Sequence, residues 1–127
     1  MRDKLIAFFG LCAVSFVISS PVLAHHSMSM YDLNRAITLK GKVTGFSWSN
    51  PHAQIHFDVQ DEQGTVRRWT ADCPAPRRLS KTGWSMDALK AEEQVTIIGN
   101  QANDGSNVMR LNRVVLPDGE ELDGYLR

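Results

Sequence analysis

The chain has 127 residues, a length that suits one domain. Hydrophobic residues make up 43% and charged residues 22%, ordinary globular usage that excludes wholesale disorder and collagen-like repetition. With 14 Lys+Arg against 14 Asp+Glu, the formal charge of +0 leaves no long-range positive field for non-specific binding to nucleic acid or anionic membrane.

Residues 1–24 have the pattern of a secretory leader. Arg2 and Lys4 open it, and a mostly apolar run of 14 residues follows from Leu5 to Ile18. That run is shorter than the roughly 20 residues a membrane-spanning helix needs. Val22 and Ala24 then stand three residues and one residue before an expected cut, where signal peptidase takes small or β-branched side chains. Losing Arg2, Lys4 and Asp3 takes the 14 basic and 14 acidic residues to 12 and 13, a mature charge of −1. Cys12 leaves with the leader, so Cys73 has no partner for an internal disulfide in an oxidising compartment and is expected to be a small buried hydrophobe. The expected location is the periplasm.

The mature part, 25–127, shows no repeat or charge block and reads as a single domain behind a flexible arm of about residues 25–35. Its hydrophobic signal has mostly period two. A first strand is expected over 37–48, with Ile37, Leu39 and Val43 on one face and Gly41 and Gly45 where a strand bends or bulges. Ser49-Asn50-Pro51 is a turn, and 52–59 alternates Ala53, Ile55, Phe57 and Val59 with His52, Gln54, His56 and Asp58. The hairpin loop at 61–64 leads to a third strand over 65–71. Pro76 opens a short helix over 76–82 that ends at Gly83, and Ser85 caps a further single turn. Strands are expected again over 94–100 and 108–116, and the tail from Glu120 adds a short pairing strand. Three strands, a short helical connection and two more strands are the element order of an OB-like five-stranded barrel. A small β-sandwich is the alternative.

The predicted mature start, His25-His26-Ser27-Met28-Ser29-Met30, carries the strongest chemical signal. A free α-amine, with an ordinary pKa of about 8, becomes a nitrogen ligand on deprotonation. An N-terminal His25 therefore offers amine and imidazole to one metal ion, and His26 adds a second imidazole. Nitrogen donors suit Cu(II), and the thioethers of Met28 and Met30 suit Cu(I), so copper is the expected cofactor. His52 and His56 point the same way, but four residues of strand separate their Cα atoms by about 13 Å. An imidazole nitrogen about 2 Å from a metal leaves its Cα roughly 6 Å away, so one straight strand chelates poorly with both. An arm folded across the strand would join His25 or His26 to one of them, and His52, beside the Asn50-Pro51 turn, is the preferred partner.

No nucleophile elbow or phosphate-cradling loop appears, so no catalytic residue is assigned. Arg67-Arg68 and Arg77-Arg78 are expected on solvated faces, and Trp48, Trp69 and Trp84 in the barrel core or rim. The expected partners are a metal ion or a periplasmic protein, without nucleic acid and without membrane after processing, and the chain is expected to be a monomer. The alternative function is a non-enzymatic OB-like module that binds a peptide, glycan or protein.

His25-His26-Ser27, Met30-Tyr31-Asp32, and Asn50-Pro51-His52 with His56 and Asp58 resemble a family of small exported Gram-negative proteins catalogued as a domain of unknown function. So do Gly83-Trp84, Leu89-Lys90 and Asp104-Gly105-Ser106-Asn107. The resemblance extends from His25 to Leu116. It implies an exported, mainly β single domain and no particular activity. Ala71-Asp72-Cys73-Pro74 departs from the Glu- and Gly-containing stretch expected there, which bears on any role for the loop after the third strand.

Overall fold

Alternation dictates the core. In strand β2 (Gln54–Gln60), Ile55 and Phe57 point inward, while Gln54, His56 and Asp58 stay partly solvated. The computed structural model describes residues 26–125, with side chains from Met28 onward; the expected leader and His25 lie outside the described residues. A short helix α1 (His26–Ser29) leads into strand β1 (Tyr31–Ser47). After β2 come β3 (Val66–Asp72), helix α2 (Pro76–Leu79), and strands β4 (Gln94–Ala102), β5 (Val108–Val115) and β6 (Glu121–Asp123).

The 17-residue β1 serves two neighbours. Its first part pairs antiparallel with β4, from Tyr31↔Ala102 to Lys42↔Gln94, and its end pairs with β2, from Lys42↔Asp58 to Ser47↔Gln54. A register shift between Val43 and Gly45 provides the bend that this double duty needs. Gly41 is required by close approach: a Cβ there would lie 2.7 Å from the Phe57 ring and 2.8 Å from the Asp58 carbonyl. The sheet runs β3-β2-β1-β4-β5-β6, and a parallel pairing of β3 with β5 closes it. The result is the expected OB-like five-stranded barrel, with β6 added outside β5.

Val43, Ile55, Phe57, Ile97, Met109, Leu111 and Val114 fill the interior and are fully buried. Burying each such aliphatic or aromatic side chain contributes about 1.5–3 kcal/mol. Between β3 and β4, α2 drives Leu79 into one end of this core. A 3₁₀ turn over Ser80–Thr82 follows, and Gly83 (φ 90°) ends it in the left-handed region. Trp69 stacks on Phe57 at 6.4 Å, and buried Trp84 donates its indole N–H to the Asp123 carbonyl at 2.8 Å. Both rings therefore belong to the scaffold. Cys73 is fully buried, as expected of a small hydrophobe.

Residues 31–35, assigned to the arm on sequence, belong to β1. Asn100 accounts for this: its side-chain amide donates to the carbonyls of Asp32 (2.8 Å) and Arg35 (3.0 Å). That ties a polar, outward-facing segment to β4 where the ladder register shifts between Tyr31 and Ala36.

Candidate functional site

The closure of the barrel builds the site. The parallel register sets Asp72, the last residue of β3, opposite Arg110 of β5. The turn at Asn50-Pro51 delivers His52 beside Asp72, with 3.2 Å between imidazole Nδ1 and carboxylate Oδ2. Tyr125, just beyond β6, lies edge-on to His52 with ring centroids 6.5 Å apart. Tyr31 at the start of β1, Met28 of α1 and Arg78 of α2 complete the lining of a pocket of about 300 Å³. Five strands and helices plus two loops thus contribute to one concavity.

Asp72 is 8% exposed. Burial pushes its carboxyl above the usual carboxylate range, against the pull of His52 and of hydrogen bonds from Gln54, His52 and Tyr125. Burial, then the Asp72 charge, likewise raises the Tyr31 phenol. The same two effects raise Tyr125, whose hydroxyl donates to the Cys73 carbonyl at 3.0 Å. The Arg110 guanidinium lies 4.2 Å from the centroid of the Tyr125 ring, a cation–π contact. Burial lowers the Arg110 pKa despite the electrostatic support of Tyr125, and the like charge of Arg78 lowers it further.

The candidate ligands separate into those at the pocket and those away from it. His52 and Met28 line it. With His52 Nδ1 held by Asp72, its Nε2 has no partner among the described residues and is the nitrogen that could take a metal. A carboxylate on the far nitrogen fixes ring orientation, as commonly found behind metal-binding imidazoles. His56 instead meets Thr70, its register partner on β3, with Nδ1 to Oγ1 3.2 Å. Met30 is 54% exposed outside the pocket, next to the turn where its carbonyl accepts from Asn103 at 2.8 Å. His25 lies outside the described residues, and His26 contributes its backbone to α1. Among the described residues no group of three or more His, Cys, Asp and Glu could hold a metal.

Tyr31, Asp72, Arg78, Arg110 and Tyr125 escaped the sequence reading as site residues. The one local signal was Asp72, inside the stretch that departs from the resembled family. The others gain their meaning from pairings between distant strands.

Geometry defines a class: an OB-like barrel with a polar, aromatic-walled pocket at its β3–β5 seam. Within that class the chain belongs to a family of unknown function, DUF6152, whose model matches residues 14–110. No curated protein matches it.

Proposed function

We propose that this is an exported, periplasmic copper-binding protein whose metal site joins the processed N-terminus to the seam pocket. Cleavage after Ala24 frees the His25 amine, which binds copper together with the His25 imidazole. His52 Nε2 adds a further nitrogen, His26 can add another, and Met28 supplies the soft thioether that favours Cu(I). Asp72 acts as a positioning residue behind His52. His56 and Met30, which lie outside the pocket, are left out of the set.

One observation carries the reading. Met28 lines the same pocket as His52, and it stands three residues after His25. Three residues of chain span at most about 11 Å, a reach that supports a metal shared by His25 and the pocket. The role in this reading is storage, delivery or sensing.

Calorimetric titration of Cu(II) into protein that begins at His25 tests it. Acetylating the His25 amine turns it into an amide and breaks the terminal chelate. Affinity is expected to fall by at least about tenfold, the loss of one strong ligand interaction. Equal affinity in the two forms would end the terminal-amine reading.

A further inference from the structure

The seam pocket contains more cationic and hydrogen-bonding capacity than a His-Met metal site uses. We infer that it binds a small organic monocarboxylate, gripped by Arg110 and Arg78 between the Tyr31 and Tyr125 rings. This inference does not depend on copper.

Four observations lead there. Neither Arg78 nor Arg110 has a carboxylate at ion-pair distance among the described residues, although Arg110 is the register partner of Asp72. Both line the pocket, from separate elements, and their like charges act on each other. Bringing two guanidinium groups together without an anion is unfavourable, and a carboxylate accepting from both would relieve it. The planar Arg110 group is already oriented by the Tyr125 ring, so little side-chain entropy remains to be lost on binding.

Shape and charge narrow the ligand class. About 300 Å³ is the small end of ligand pockets, enough for a compact organic acid. Two arginines against Asp72 leave one net positive charge, which a monoanion neutralises. A phosphate dianion would exceed it and would also meet the Asp72 carboxylate. Tyr31 adds a hydroxyl that has no hydrogen-bond partner among the described residues, a donor free for a second carboxylate oxygen. The tyrosine rings and the Met28 side chain supply walls for an apolar body.

The test is a ¹H–¹⁵N NMR titration of the EDTA-treated full mature protein with propionate, benzoate and inorganic phosphate. Propionate or benzoate is expected to shift the amides of Tyr31, Asp72, Arg110 and Tyr125 saturably. Arg110→Gln should weaken that binding by at least about tenfold, the usual loss with one charge-assisted hydrogen bond. Arg78→Gln serves as the second variant, because Arg78 is exposed and its replacement leaves the core untouched. It too should weaken binding while the remaining spectrum keeps the native pattern. The inference is overturned if neither carboxylate gives saturable shifts at millimolar concentration. Phosphate binding as tightly as both carboxylates, or unchanged affinity in both variants, would overturn it equally. Because no metal is present, failure here leaves the copper reading standing, and failed copper binding leaves this result untouched.

Discussion

Replacing Asp72 with alanine should separate metal affinity from fold stability. The variant removes the acceptor that sits 3.2 Å from His52 Nδ1, together with the bond from Gln54. With the bond from Tyr125, three hydrogen bonds at about 0.5–1.5 kcal/mol each would be lost. Two effects offset that loss. Burial already disfavours the charged form of this carboxyl, so its removal relieves a desolvation cost. The His52 side chain is also 38% exposed, so water can replace the missing acceptor. The net change in unfolding free energy should stay within about 1 kcal/mol, a melting shift of roughly 4–8 °C or less for a domain of this size. Copper is another matter. Losing the group that orients a metal-binding imidazole commonly costs about 10–100-fold in affinity. Calorimetry with Cu(II), paired with urea denaturation of the same preparations, measures both quantities. Unchanged copper affinity combined with destabilisation above about 3 kcal/mol would make the His52–Asp72 pair purely structural.

Other expected outcomes concern the scaffold. Phe57→Ala, at a fully buried position stacked on Trp69, should cost about 3–5 kcal/mol in denaturant titrations. Gly99→Ala would set a methyl group against the Arg110 carbonyl and 3.1 Å from Met109 Cε, so a loss of at least about 1–3 kcal/mol is expected. Burial, and then the Asp72 charge, holds the Cys73 thiol protonated well above its ordinary value of 9.0. With the folded pKa raised, stability is fully present below about pH 9 and falls above it, by up to about 1.4 kcal/mol per pH unit as the unfolded thiol ionises. Urea titrations at pH 8.5 to 10 should show that decline, and Cys73→Ala should flatten it. Native Cys73 should react with thiol reagents only as fast as the protein unfolds, and rapid labelling would contradict its burial.

Much of the barrel was legible because its determinants are local. The run of Ala53, Ile55 and Phe57 alternates as a half-buried strand must, and Gly41 and Gly45 mark the double-duty strand. Pro76 and Gly83 bracket the helical connection that was expected. The early start of β1 was not legible, since Asp32–Ala36 has no apolar alternation and is secured by the distant Asn100. The site divides along the same line. His52 could be singled out from the turn before it and the imidazoles at the expected mature start. Asp72 reads as a loop residue after the third strand and Arg110 as an ordinary strand residue until the parallel β3–β5 register sets them together. Arg77-Arg78 reads as a solvated pair, yet Arg78 reaches the pocket. No short-range pattern encodes such a seam.

Electron paramagnetic resonance of the Cu(II)-loaded protein probes the shared site most directly. In protein that begins at His25, nitrogen couplings are expected from the terminal amine and at least two imidazoles, one of which disappears in His52→Ala. A spectrum that His52→Ala leaves unchanged would contradict a metal shared between the new N-terminus and the barrel.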